Sequence, residues 1–310
     1  MSRPADIAVC GEIMLESTLP MILDQLPEAD RTLIIDGVSL RTGGPSFNIS
    51  RQLLDLGEKP RLVSFVGNGS YSLIESACVE AGLDQGEIRK VEGAIDFLFT
   101  IHFNDGFRSF YQRNFLEINQ AEQLVASATT SAIVILAGSR QPALRQAYCR
   151  ASQTYAGDFL VFSPNYALFD FGKEEILTLC QHAGLIAVNE REARYLCDVI
   201  GVEDDTKLAS TVPGMLLVTR RERGADLFVA GEKLTVPALS ASSDDVFGSG
   251  DTFLAAFLRA HSKGAPLLDA LIFAAAAAAV FIDTDETWPR ITVSMVEAKL
   301  KTIDEEAVFK

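Results

Sequence analysis

No stretch of this sequence is long and apolar enough for a membrane span, no two cysteines have metal or redox spacing, and no excess of basic residues favours a polyanion. The longest apolar run, Ala270 to Ile282, lies between Asp269 and Asp283 and falls short of the roughly 20 residues that a bilayer core requires. It is expected to be a buried, alanine-rich helix. The N-terminal segment meets Asp6 before any apolar run of signal-peptide length, so no secretory leader is expected. The five cysteines, Cys10, Cys78, Cys149, Cys180 and Cys197, are odd in number and scattered, without a C-x-x-C pair. That argues against a disulfide framework and fits a reducing cytoplasm. Lys and Arg number 27 against 42 Asp and Glu, a net charge of -15, which repels nucleic acid and anionic membrane surfaces. Local N–H dipoles can still hold a small phosphorylated ligand. The three histidines, His102, His182 and His261, lack metal or triad spacing and read as structural or surface residues.

What is present is an ordinary globular composition, 48% hydrophobic and 22% charged over 310 residues. Short β-branched runs alternate with longer amphipathic stretches, the pattern of a doubly wound, mostly parallel sheet flanked by helices. Strands are expected at Ile7 to Cys10, Arg61 to Val66, Ala132 to Ala137, Phe159 to Ser163, Leu185 to Asn189 and Met215 to Thr219. Helices are expected after Phe47 and Tyr71, around Ala121, Leu144, Glu174 and Glu190, and again from Asp251 and Leu267. Two segments break the alternation: Leu33 to Leu40, and the runs Phe97 to Phe103 and Phe107 to Tyr111 joined at Asn104-Asp105-Gly106. Asp-Gly between alternating apolar runs signals a hairpin. A single domain, residues 1–310, with lid strands inserted at about 15–42 and 95–113, is therefore expected. A further meander, Ala225 to Ala230 and Lys233 to Val236, should extend the sheet edge.

The stretch richest in chemistry is Asp244-Asp245-Val246-Phe247-Gly248-Ser249-Gly250-Asp251-Thr252-Phe253, which leads into the apolar series Leu254, Phe257 and Leu258. A turn of small residues opening a helix leaves N–H groups without intrahelical partners, and the helix dipole adds about half a positive charge. Such a turn binds anions. A carboxylate beside it can take a proton from an attacking hydroxyl while the amides hold the transferred oxygens. Taken alone, capping is the commoner use of an Asp such as Asp251. A dinucleotide fingerprint is disfavoured because no third glycine follows Gly248 and Gly250.

Asp245-x-x-Gly248-Ser249-Gly250-Asp251-Thr252-Phe253 resembles the C-terminal signature of the ribokinase (PfkB carbohydrate kinase) family, usually D-T-x-G-A-G-D-x-F, with Val246 for Thr and Ser249 for Ala. Thr42-Gly43-Gly44-Pro45-Ser46-Phe47-Asn48-Ile49-Ser50, followed by Gly57 and Gly67, is similar to the N-terminal signature, with Ser46 as a departure. Val188-Asn189-Glu190-Arg191-Glu192 matches N-x-x-E. Leu217-Val218-Thr219 with Gly224 resembles V-T-x-G-x-x-G, except that Arg221 replaces a glycine and could clamp a phosphate or obstruct it. The resemblance covers nearly the whole chain and implies a ribokinase-like α/β fold with a small β-strand lid. It also implies ATP as phosphoryl donor, Mg²⁺ bridging the phosphates, and transfer to a hydroxyl. In that scheme Asp251 is the base, and the amides of Gly248, Ser249 and Gly250 form the anion hole. Asn189, Glu192, Thr219, Arg221, Gly224 and Asp245 serve the nucleotide side, Glu192 reaching the metal through water. A monovalent cation such as K⁺ near Asp245 is compatible with the family.

On the substrate side, the resemblance gives hydroxyl contacts to Gly43, Gly44 and Asn48, and places Glu16 where relatives carry a hydroxyl-gripping Asp. Arg108 and Arg113 sit in a segment like the lid strand of fructokinase-like and 2-keto-3-deoxygluconate kinase-like members. Alternation puts them on opposite faces, and the family's Y-x-R pattern selects Arg113; a surface ion pair is the alternative. In Ser163-Pro164-Asn165-Tyr166-Ala167, Asn165 keeps its place in a D-x-N-x-R pattern, while Ala167 loses the arginine and with it a carboxylate contact. A small neutral sugar is the expected substrate. A nucleoside kinase of the same fold and a catalytically silent sugar-binding protein are the alternatives. Exposed lid strands imply a homodimer.

Overall fold

The computed structural model of the chain describes residues 6–23, 39–93, 96–103, 106–112, 115–241, 248–284 and 289–302. In chain order these form β1 (Ile7–Cys10), β2 (Met14–Leu23), β3 (Ser39–Gly43), α1 (Pro45–Asp55), β4 (Arg61–Gly67), α2 (Tyr71–Ala81), β5 (Ile88–Val91), β6 (Phe97–Phe103) and β7 (Gly106–Gln112). There follow α3 (Ile118–Ala128), β8 (Ile133–Ala137), α4 (Pro142–Thr154), β9 (Phe159–Ser163), α5 (Lys173–His182), β10 (Leu185–Asn189), α6 (Glu190–Ile200), α7 (Asp205–Thr211) and β11 (Met215–Thr219). The chain continues through β12 (Ala225–Val229), β13 (Glu232–Val236), α8 (Ser249–Ser262), α9 (Leu267–Asp283) and α10 (Val293–Leu300).

Nine strands make the main sheet, in the order β13-β12-β11-β10-β9-β8-β1-β4-β5. All pairings are parallel except those of β12 and β13, the expected edge meander. Strands buried on both faces need apolar residues at every position, and β1 shows why. Ile7 and Val9 pack toward α8 and α9, while Ala8 and Cys10 pack toward α3 and α4. The apolar run Ala270 to Ile282 lies within α9, packed against α8, where its alanines allow close approach. Among the described residues no helix is long and apolar enough to cross a membrane.

The second sheet has four strands in the order β3-β2-β6-β7, with β2 and β6 parallel and both outer pairs antiparallel. The expected hairpin is there as β6 and β7, with Asn104 and Asp105 outside the described residues. Residues 33–38 of the expected Leu33 to Leu40 strand also lie outside them, and the described strand instead begins at Ser39. The chain passes from β1 into this sheet within three residues, through Gly11, Glu12 and Ile13.

Candidate active site

Strand order reverses at β1: β4 and β5 lie on one side, β8 to β11 on the other. Such a switch point opens a crevice beyond the carboxyl ends of the strands, where ligands of α/β sheets bind. Glu12, one residue past Gly11 and 1% exposed, fills that crevice. Its Oε1 accepts from Ser139 Oγ at 2.8 Å and from the amides of Arg140 and Gln141 at 2.8 and 3.2 Å, and its Oε2 from the Tyr111 hydroxyl at 3.0 Å. Burial raises its carboxyl pKa, and these donors pull it back. Glu12 thereby joins β1, the loop after β8 and strand β7 of the small sheet.

The glycine pair has a steric explanation. A Cβ on Gly43 would lie 2.3 Å from the Glu16 carboxyl carbon, and Gly44 adopts φ 91° with the Glu12 carbonyl only 2.7 Å from where a Cβ would stand. Glu16 is seated against this turn: the Gly44 amide donates to Oε1 at 2.9 Å, and Arg41 Nε to Oε2 at 3.3 Å. Burial raises the Glu16 pKa, while Arg41 and the Gly44 amide oppose the rise. The turn opens α1, so Asn48 falls in its first turn, 4% exposed.

Gly248, at φ 89°, caps α8, and the first intrahelical bond is Thr252 N–H to its carbonyl at 3.1 Å. The amides before Thr252 therefore precede the helical ladder. A Cβ on Gly250 would meet nothing within 4 Å among the described residues. Asp251 is 8% exposed; its Oδ2 accepts from Asn48 Nδ2 at 3.0 Å and its Oδ1 from Asn165 Nδ2 at 2.9 Å. Its bonds thus run to two other elements, which a plain cap does not require. Burial raises its pKa to about 6; the two amides lower it and the charge of Glu16 adds to the rise.

On the other side of the crevice, Asn189 ends β10 beside Thr219 of β11. It caps α6 reciprocally with Glu192: Glu192 N–H donates to Asn189 Oδ1 at 3.0 Å, and Asn189 N and Nδ2 donate to the Glu192 carboxylate at 2.9 and 2.7 Å. Burial, with the charge of Asp251 adding, raises Glu192 to about 7 against these donors. Glu16 thus adds to the rise of Asp251, and Asp251 to that of Glu192; shifted carboxylates gathered in a crevice are a mark of functional sites. Gly224 is required, since a Cβ there would stand 2.0 Å from the Val236 carbonyl. Arg221 takes the left-handed φ of 53° that the family's glycine would supply freely, and its side chain is exposed. It has no hydrogen-bond or ion-pair partner among the described residues. Its neighbour Arg220 instead holds the loop, bonding Asp226 at 2.6 Å and also Asp205. Replacing Arg221 by glycine is expected to leave stability unchanged or raise it by up to about 1 kcal/mol, read as an equal or higher melting temperature.

The structure brings together Glu16, Gly43, Gly44, Asn48, Asn165, Gly248, Ser249, Gly250 and Asp251, with Asn189, Glu192, Thr219 and Gly224 across the crevice. Asn165, at φ 49°, contacts Asp251 through Nδ2 and accepts from Ser163 through Oδ1. Asp245 and Arg113 lie outside the described residues. Arg108 is exposed, its guanidinium over the Phe103 ring. His261 lies between the Phe159 and Phe257 rings, a structural place. Sequence reasoning missed Glu12, although Gly11-Glu12 directly after a strand was a signal. It also missed Arg140, stacked 5.1 Å from the Tyr111 ring centroid and 4.7 Å from that of Tyr166.

Its match to a kinase family and to relatives named kinases makes the chain a phosphotransferase that acts on an alcohol group. The chain is a member of the pfkB family of carbohydrate kinases, which its residues 5–288 match. It is similar to a nucleoside kinase of Methanocaldococcus jannaschii, 23% identical over 285 residues that cover 87% of this chain and 90% of that one. It is also similar to fructokinase-1 of Oryza sativa subsp. japonica, 28% identical over 239 residues covering 70% and 72%. The structure of Burkholderia thailandensis nucleoside kinase in complex with inosine shares the fold, with a TM-score of 0.81 at 21% identity, covering 96% of this chain and 98% of that one.

Proposed function

We propose that the chain transfers the γ-phosphoryl group of ATP to a hydroxyl of a small neutral sugar, with Asp251 as the general base. The observation that carries this reading is the Asp251 carboxylate, held by the amides of Asn48 and Asn165 beside the opening turn of α8. The substrate hydroxyl gives its proton to Asp251 as its oxygen attacks, and the amides of Gly248, Ser249 and Gly250 stabilise the charge on the transferred group. Asn48 Oδ1 accepts no hydrogen bond among the described residues; a sugar hydroxyl supplies the missing donor, and Glu16 grips another.

Among the described residues no group of three His, Cys, Asp or Glu could hold a metal directly. Glu192 and Asn189 would hold a phosphate-bound Mg²⁺ through water, and the ion would offset the phosphate charge. Thr219, Arg221 and Gly224 line the nucleotide side, and Asp245 is the place for a monovalent cation.

A neutral polyol suits a pocket whose polar groups are carboxylates and amides, and Ala167 offers no cation. The tyrosine rings beside the crevice carry the Arg140 guanidinium, whereas a nucleobase needs an open aromatic face. The relatives named nucleoside kinases support a second reading, a nucleoside substrate. A panel of sugars and nucleosides under a coupled ADP assay tests both: fructose or ribose is expected to give the highest kcat/KM, and a nucleoside ahead of every sugar decides for the second reading.

The same base sets the pH profile. Asp251 is ionised above about 6, so kcat/KM is expected to climb through that pH, and a flat profile from pH 5 to 7.5 would remove Asp251 from the role. The small sheet acts as a lid, and its edge strand β7 exposes Phe110 at 60%. Two chains pairing through lid strands are expected to give twice the monomer mass in light scattering, and a single-chain mass opposes the dimer.

A further inference from the structure

One face of α1 holds Asn48 against Asp251; another presents Phe47, Arg51 and Asp55, four residues apart, to a separate cavity of about 440 Å³. α2 contributes Leu73, Ala77 and Ala81 at the same spacing, and Leu73 is 49% exposed. Leu15 and Arg41 of the small sheet and Arg290, just ahead of α10, complete the lining used here. The volume lies within the roughly 300–1,000 Å³ of small-molecule pockets. Among the described residues none of the catalytic or nucleotide-side groups lines it.

Its chemistry is specific. Arg41, Arg51 and Arg290 converge on it with Asp55 and Glu80, a local excess of positive charge on a chain of net charge -15. The Asp55 side chain is 2% exposed; Oδ1 accepts from Arg290 Nε at 3.0 Å. Oδ2 accepts no hydrogen bond among the described residues, and Arg51 Nε stands 3.9 Å from it. A buried carboxylate oxygen without a donor is costly, and a ligand hydroxyl supplies one.

We propose that this cavity is a second binding site, for a phosphate monoester of a hydroxylated compound, of which sugar phosphates are the simplest. The arginines take the phosphate, because converging guanidinium groups match a dianion with several acceptor oxygens. Asp55 Oδ2 accepts from a hydroxyl, and Phe47, Leu73 and Leu15 lie against the apolar part of the ligand. Occupancy couples to the candidate active site, since Arg41 also donates to Glu16 and Phe47 precedes Asn48. A phosphate drawing on Arg41 withdraws a cation from Glu16, so cavity occupancy and sugar binding oppose each other. This last step rests on the proposed function, whose product is itself a phosphate monoester.

The test is calorimetric titration of the full chain, without nucleotide, with fructose 6-phosphate and with inorganic phosphate. Arg51→Ala and Ala77→Trp, on different walls and away from the catalytic groups, serve as variants, with melting curves confirming that each folds. A binding event for the ester that both variants weaken at least tenfold is expected; isotherms identical to wild type in a folded variant overturn the site. Inorganic phosphate is expected to bind more weakly than the ester, and equal affinity overturns the Asp55 hydroxyl contact. Fructose 6-phosphate is expected to raise the sugar KM more in wild type than in either variant, and equal shifts overturn the coupling. Absence of ADP release with every sugar and nucleoside defeats the proposed function alone, because the titrations need no turnover.

Discussion

Asp251→Asn is expected to lower kcat by about two to four orders of magnitude, the usual contribution of a positioned general base. The substitution keeps the shape of the side chain, removes its basicity and turns one acceptor oxygen into an N–H donor, which Asn48 can meet by turning its Oδ1 toward it, so KM for ATP should change little. A stability readout separates this from simple damage. The folded-state pKa of Asp251 is raised from 3.8 to about 6; a carboxyl raised on folding contributes stability below its unfolded pKa and loses it as pH rises through the folded value. At pH 8 the wild-type protein therefore carries a buried charge at a cost, and the asparagine variant should melt no lower than wild type. It should also lose the fall in stability between about pH 4 and 6 that the aspartate produces. Turnover near wild type in a folded variant would exclude Asp251 as the base. With its charge gone, Glu192 should titrate lower, since Asp251 is one cause of its raised pKa.

The second large effect concerns Glu12. Replacing it with alanine removes the acceptor of the Ser139 and Tyr111 hydroxyls and of the Arg140 amide, and one of the two acceptors of the Gln141 amide, four donors that converge on one buried carboxylate. Unmet buried donors and a lost buried charge network cost about 3–5 kcal/mol, against a total stability of about 5–15 kcal/mol for a typical domain. A marked drop in the urea midpoint is expected, with sugar KM rising in whatever fraction folds. Tyr111→Phe removes one donor and should cost only about 1 kcal/mol. A Glu12→Ala protein as stable as wild type would show that solvent, not Glu12, satisfies these groups.

The strands of the main sheet were legible because a parallel strand covered on both faces has to be apolar throughout. Phe159 to Ser163, Leu185 to Asn189 and Met215 to Thr219 were readable at their observed bounds for that reason. The small turns at Gly43-Gly44 and Gly248-Ser249-Gly250 were legible because few sequences tolerate such backbones, and the observed φ values and close approaches explain why. Strand β2 was legible only as part of an insertion at about 15–42, without bounds of its own: its polar Glu16 and Ser17 break the apolar pattern, and its partner β6 lies far along the chain. Glu12 escaped for the same kind of reason, since three of its donors are 127 to 129 residues downstream. Asn165 was singled out as a substrate contact, yet its visible bond is to Asp251, a pairing across 86 residues that no local pattern encodes. In the Thr219 to Gly224 loop the eye falls on Arg221 for its departure from glycine, while the ion pairs belong to Arg220 and Arg223.

The small sheet is assembled from two passages of the chain, β2 with β3 and the β6–β7 hairpin, with α1, β4, α2 and β5 threaded between them. It therefore cannot be exchanged between homologous enzymes as one cassette. A chimaera that aims to transplant acceptor preference has to make two coordinated insertions and preserve the parallel seam of β2 with β6, so gene shuffling with a single crossover should yield mostly insoluble recombinants.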